Sequence, residues 1–224
     1  MIFSRKQYLF FIITMIILIV VSYNYIDRDV SMYFIHNADI YREFGKTMSA
    51  IGESHWYFAT AILGALYYTY IKQNPIYKQR FLFLLYINLF SGLISLIAKI
   101  FFGRLRPWKL EEPENSYGFL VMQNPDFTLL ESVKFQINIL IENSTPYVSF
   151  PSGHTTTSMA VFTYMMILFP RYLYLWFSIT LVSITSRVLA NDHFISDLMA
   201  GTLVGVISTL YIYSKMKDKI AKNY

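Results

Sequence analysis

The chain is predicted to be an all-α membrane protein, a polytopic bundle of six transmembrane helices. Three observations predict this. Of its 224 residues, 55% are hydrophobic and only 15% charged, a balance foreign to water-soluble domains. The apolar residues gather into six runs of roughly bilayer-crossing length with almost no charge inside them. The polar breaks between the runs carry most of the basic residues.

The net charge of +5 does not indicate a nucleic-acid partner, because the basic residues are spread over short loops with no contiguous basic face. With no cysteine, disulfides, thiolate nucleophiles and thiolate metal sites are excluded.

Arg5 and Lys6 precede the first run, residues 8–26, as the basic region of a signal peptide would. Its exit, Ser22-Tyr23-Asn24-Tyr25, is too bulky for cleavage, so an uncleaved first membrane helix is expected. Residues 27–54 mix charges with scattered apolar positions and predict short interfacial helices. His36 and His55 have no nearby carboxylate or arginine pattern and read as interface or packing histidines. Further spans are expected over residues 56–71, 81–102, 155–169, 172–185 and 194–213. No internal repeat or low-complexity linker breaks the chain, which reads as one domain over residues 1–224. Residues 108–150 form a long outer segment within it. Its start is acidic (Glu111, Glu112, Glu114), and residues 128–141 suit either a surface helix or, by the alternation Val133-Lys-Phe-Gln-Ile-Asn-Ile, a strand.

With the N-terminus inside, ten of the nineteen basic residues lie on the inner side: Arg5, Lys6, Lys72, Lys78, Arg80, Arg171, Lys215, Lys217, Lys219 and Lys222. Setting aside Lys99, Arg104, Arg106 and Arg187, which belong to the constellations below, five remain outside. The positive-inside rule therefore places both termini in the cytoplasm and the chemically rich loops on the outer face.

Three constellations carry chemistry. In Ser186-Arg187-Val-Leu-Ala-Asn-Asp-His193-Phe-Ile-Ser-Asp197, a helix beginning after Asn191 would put His193 and Asp197 at i and i+4. The carboxylate then holds one ring nitrogen protonated and leaves the other free to attack. Arg187 offers a planar fork suited to phosphate oxygens. The bland alternative is an Asn-Asp helix cap with a chance His/Asp pair. Lys99-Ile-Phe-Phe-Gly-Arg104-Leu-Arg106-Pro107 closes the third run; Lys99 and Arg106 are two turns apart if the helix continues, with proline stopping it. For Lys99 alone, snorkelling to the headgroups explains as much. Pro151-Ser152-Gly153-His154 opens the fourth run, where a serine cap and glycine expose backbone N–H groups to an anion. His154 suits a general acid. All three fall on one side of the membrane, which favours the chemical reading over three separate coincidences.

Lys99-x6-Arg106-Pro107, Pro151-Ser152-Gly153-His154 and Ser186-Arg187-x5-His193-x3-Asp197 resemble, in residue type, order and spacing, the three signature motifs of the type 2 phosphatidic acid phosphatase (PAP2) superfamily. The resemblance implies a membrane-bound lipid phosphatase that works through a phosphohistidine with no metal or other cofactor. Carried over, His193 is the nucleophile, Asp197 its orienter and His154 the acid for the departing alcohol. Lys99, Arg106, Ser152, Gly153 and Arg187 bind phosphoryl oxygens, and Arg104, from the frequent Gly-Arg-x-Arg-Pro form of the first motif, is a further candidate. The expected partners are a lipid phosphate or diphosphate and the bilayer.

Ile26-Asp27-Arg28-Asp29-Val30, Gly52-Glu53-Ser54-His55-Trp56 and the form of the third motif are similar to bacterial members that dephosphorylate lipid A, which implies a bacterial inner membrane and a periplasmic site. Undecaprenyl diphosphate and phosphatidylglycerophosphate are the rival substrates. A non-catalytic anionic-lipid binder or transporter would use the same cations but has no use for a His/Asp pair and a second histidine. Six spans also speak against the related soluble branch that holds vanadate for halide oxidation.

Overall fold

The computed structural model describes residues 4–111, 117–119, 128–143 and 146–221, the side chains of Asp39 and Leu140 excepted. Its helices are α1 (Arg5–Tyr25), α2 (Asp27–His36), α3 (Ala38–Ser49), α4 (Ser54–Tyr70), α5 (Pro75–Phe102), α6 (Leu129–Asn143), α7 (Gly153–Leu168), α8 (Leu173–Leu189) and α9 (Ile195–Ile220). Among the described residues, extended backbone pairs only at an isolated bridge between Arg104 and Phe119. Each predicted apolar run is helical, and local chemistry explains the ends. Ser4 and Gln7 form a capping box at α1. Asn74 Oδ1 accepts from the N–H groups of Ile76 and Tyr77 with Pro75 at the first helical position of α5.

Among the described residues, four helical stretches are long and apolar enough to cross a bilayer by themselves: Arg5–Tyr25, Pro75–Phe102, Pro170–Leu189 and Ile195–Ile220. With 17 and 16 residues, α4 and α7 fall short of the roughly 20 that a lone span needs. The count of six crossings therefore turns on these two.

Residues 27–54 do fold into short helices, α2 and α3. Of the two readings of residues 128–141, the structure takes the helix, α6. Its start has the reciprocal bonds of a capping box: Thr128 N–H donates to Glu131 Oε2 at 2.8 Å and Glu131 N–H to Thr128 Oγ1 at 3.3 Å. Leu130, Ile137 and Ile141 are exposed on α6, while Gln136 is buried and donates to the carbonyls of Lys99 and Tyr147. The helix is thus tied to the end of α5. Glu112 and Glu114 lie outside the described residues.

The third span ends earlier than its proline suggests. Gly103 takes the left-handed conformation (φ 51°) and its N–H closes α5 on the Lys99 carbonyl at 3.0 Å. Lys99 and Arg106 are therefore not two turns apart on one helix. Past the glycine the chain turns inward at Arg104, and Arg106 is held by its N–H to the Pro146 carbonyl at 2.7 Å.

An apolar core of Ala61, Phe83, Leu84, Ile87, Ala160, Val161, Tyr164, Met216 and Ile220 joins α4, α5, α7 and α9 at one end of the bundle. The other end is polar inside and apolar outside, as a membrane bundle requires. There α9 lies so close to α7 that a Cβ on Gly201 would fall 2.7 Å from the Ser152 carbonyl oxygen, and one on Gly205 2.5 Å from that of Thr156. Gly205→Ala should therefore force the helices apart and cost about 1–3 kcal/mol, the usual range for overpacking. Thermal unfolding in detergent should show a lower Tm; an unchanged Tm would contradict this packing.

Candidate active site

The three constellations converge at the polar end of the bundle, each delivered by the end of a helix. Lys99 comes from the last turn of α5, Arg106 from the segment after it, Ser152, Gly153 and His154 from the start of α7, Arg187 from the last turn of α8, and His193 and Asp197 from the entry to α9. Ser152 caps α7, its Oγ accepting from Thr155 N–H and Thr155 Oγ1. Its own N–H donates to the Asp197 carbonyl, joining the second constellation to the third. Gly153 faces open space, with Lys99 Cε 4.0 Å from where its Cβ would be. The Lys99 ammonium donates to the Val148 carbonyl.

His193 precedes α9 rather than lying on it, because Asn191 adopts φ 57° and turns the chain at the end of α8. The imidazole is buried (2% exposed). Its Nδ1 lies 2.8 Å from the Ser149 carbonyl and 3.7 Å from Asp197 Oδ2, so the direct hydrogen bond goes to the carbonyl. A carbonyl can only accept, so Nδ1 carries the proton and Nε2 keeps its lone pair. Asp197 acts from behind: its Oδ2 accepts from Ser149 Oγ (2.6 Å) and Phe194 N–H (2.8 Å). Burial, above all, holds the His193 imidazole well below its usual range. Asp197 works against that effect, and the charges of Arg106, Arg187 and Lys99 reinforce it. The ring is therefore neutral at physiological pH, as a nucleophile must be. The same three cations surround His154.

Arg187 and Arg106 flank Asp192. Arg187 Nη2 is 2.7 Å from Asp192 Oδ2, and Arg106 Nη1 3.6 Å from Oδ1. Both arginines also bury an Nε–H that has no acceptor among the described residues. Buried donors without partners are costly, and an anion with several oxygens would satisfy them. A cavity of about 580 Å³ is lined by Lys99, Gly153 and His154 at one end and by Phe58, Leu89 and Leu93 of α4 and α5 further along.

Arg104, a candidate phosphate ligand by its motif, is not among the residues lining this space. It is fully buried. Nη1 donates to Asp197 Oδ1 (2.6 Å) and Ser196 Oγ (2.7 Å), and Nη2 to Asp27 Oδ2 (2.9 Å) and Tyr117 OH (3.1 Å). Its two Nη groups are engaged behind the carboxylate, away from the cavity that Lys99 and His154 line. Burial works against its charge, but Asp197 and Asp27 outweigh burial and hold its pKa above the usual value.

Sequence reasoning missed Ser149, Asp192 and Asp27. A carboxylate directly after an apolar run, as Asp27 is, was the available signal, since such a group seeks a cation. It also left His55 without a partner, whereas His55 Nδ1 lies 3.2 Å from Glu53 Oε2 at the rim of the cavity. His36 bonds the Met32 carbonyl one turn back.

The model of the PAP2 superfamily matches residues 80–221. Two curated relatives named lipid A 1-phosphatase, from Rhizobium johnstonii and Rhizobium etli, are each 27% identical over 73% of this chain. The matches cover 63% and 66% of those proteins, so the chain spans a little under two thirds of their length. Among solved structures, a PAP2-type phosphatidylglycerolphosphate phosphatase from Bacillus subtilis superposes with a TM-score of 0.59 at 16% identity, over 95% of this chain and 98% of its own. Aquifex aeolicus LpxE superposes with a TM-score of 0.50 at 17% identity, over 89% and 94%. At such identities these two likenesses speak to the fold.

Proposed function

The chain belongs to the PAP2 superfamily, and from that premise we propose that it is a metal-independent lipid phosphatase using His193 as nucleophile, with lipid A as the leading substrate. The observation that carries this reading is the buried, neutral His193, its Nδ1–H given to the Ser149 carbonyl, among Lys99, Arg106 and Arg187. In the first step the Nε2 lone pair forms a bond to phosphorus as the bond from phosphorus to the lipid oxygen breaks. His154 gives that oxygen its proton. The imidazole keeps Nδ1–H and becomes cationic, with Asp197 behind it. Water then attacks the phosphohistidine with His154 as base, releasing inorganic phosphate and the neutral ring.

A largely dissociative transition state spreads charge over the equatorial oxygens, so positioned cations and the amides at the start of α7 supply the catalysis. In this reading no divalent ion is required. The cavity between α4 and α5 receives the lipid chains laterally, and residues 108–150, α6 included, contact the remainder of the headgroup. One domain with six crossings, both termini in the cytoplasm of a bacterial inner membrane, places the site on the periplasmic face. The positive-inside count supports this orientation. A cysteine at exposed Asn138, introduced into this cysteine-free chain, should react with an impermeant thiol reagent in spheroplasts, and one at exposed Lys72 should not. The reverse pattern would invert the topology.

The names of the Rhizobium relatives support lipid A. Initial rates of phosphate release from lipid A, phosphatidylglycerophosphate and undecaprenyl diphosphate in matched micelles with excess chelator are the test. The expected result is undiminished turnover with lipid A fastest. Preference for a rival removes lipid A, and activity that disappears in chelator and returns with magnesium removes the metal-free mechanism.

A further inference from the structure

Behind the proposed nucleophile lies a row of charge that joins two motif residues to Asp27, which stands outside all three motifs. Asp27, Arg104 and Asp197 are each fully buried and form a row, with Arg104 between the two carboxylates at 2.9 and 2.6 Å. Asp27 is itself fully engaged. Its Oδ1 accepts from Ser22 Oγ (2.7 Å) and Ser196 N–H (3.0 Å), and its Oδ2 from Ser196 Oγ as well as Arg104. The guanidinium is boxed by rings: Phe194 at 3.9 Å, Tyr23 at 5.1 Å, Phe119 at 5.3 Å and Tyr117 at 5.4 Å.

The charges do not balance. Two carboxylates against one guanidinium leave the row one unit negative, in a place sealed from water. Arg104 and Asp197 alone would be a neutral pair, and burying one more carboxylate is expensive unless a positive charge offsets it. Towards His193 the charged groups are Asp197, Arg106, Arg187 and Lys99. The last three lie on the substrate side, where an arriving phosphate meets them and Asp192 already bridges two.

We propose that Asp27 and Arg104 are positioning residues that set the charge behind His193. Arg104 fixes Asp197, and Asp27 offsets Arg104 so that Asp197 keeps a net negative field for the cationic ring formed on phosphoryl transfer. This rests on His193 being the nucleophile. The row's surplus negative charge stabilises that ring once it becomes positive, so the row favours the covalent state over the bound ground state. That is a transition-state effect rather than tighter phosphate binding.

Inorganic vanadate and inorganic phosphate separate the two. Vanadate bound covalently to Nε2 makes the ring cationic, whereas phosphate resting against the cations does not. With the full-length protein in detergent, Asp27→Asn keeps size and loses charge. It should weaken vanadate binding about tenfold, the order expected of one buried unit charge nearby, and leave phosphate affinity equal or tighter. Arg104→Gln removes the opposing charge and should shift the ratio of vanadate to phosphate affinity the other way. Opposite shifts support the proposal. A ratio that falls in both variants, or moves in neither, overturns it. If Asp27→Asn does not fold, a fall in Arg104→Gln alone overturns it. His193→Ala tests the premise separately: if it binds vanadate as tightly as the wild-type chain, His193 is not the nucleophile.

Discussion

Replacement of His193 by alanine is expected to reduce turnover by about 10⁴-fold or more, the scale seen when the nucleophile of a covalent mechanism is removed. The loss should fall on kcat, because the groups proposed to bind phosphate, Lys99, Arg106, Arg187 and the start of α7, remain in place. His193→Ala truncates a ring bonded to the Ser149 carbonyl but leaves that backbone anchored, with Ser149 N–H on the Arg104 carbonyl and Ser149 Oγ on Asp197. Thermal unfolding should change little by comparison, and lipid should still bind. Residual turnover within tenfold of the wild-type chain would remove His193 from the mechanism.

The second large effect is expected at Arg106. Lysine keeps the charge but not the planar fork, and a bidentate grip on an equatorial oxygen pair depends on the fork. Its backbone is fixed by the N–H on Pro146 and its guanidinium lies 3.6 Å from Asp192, which limits where its Nε–H can point. Arg106→Lys should lower kcat/KM by roughly 10²-fold or more, as loss of one preorganised donor to developing charge does elsewhere. Steady-state kinetics on the preferred lipid would show it. Near wild-type turnover would make Arg106 a headgroup anchor.

The helices and the residues that gather at the candidate site were legible in the chain because their signals are local. Apolar runs, a Ser-Gly helix start and fixed spacings between cations and histidines are all written within a few residues. What was illegible is tertiary. Asp27 meets Ser196 across 169 positions, and Ser149 meets His193 across 44; no period or spacing records such pairs. Arg104 shows how a motif can mislead. Its neighbours Lys99 and Arg106 are the ones proposed to meet the substrate, yet the left-handed Gly103 sends Arg104 to the opposite side of the carboxylate. The choice between helix and strand over residues 128–141 was decidable, since Thr128-Leu-Leu-Glu131 is a capping-box sequence directly before the apolar stretch. The alternation beyond it comes from a helix with a narrow buried stripe at Ser132 and Gln136.

Phosphorus is expected to pass from the lipid to the imidazole of His193. The direct measurement is rapid quenching of the full-length protein during turnover of a lipid labelled in its phosphate, followed by mapping of the label on the chain. The expected result is a bond that survives base and breaks in acid, located on His193 at Nε2, appearing before free phosphate and absent from His193→Ala. Label on Ser152, or on any residue other than His193, would contradict it.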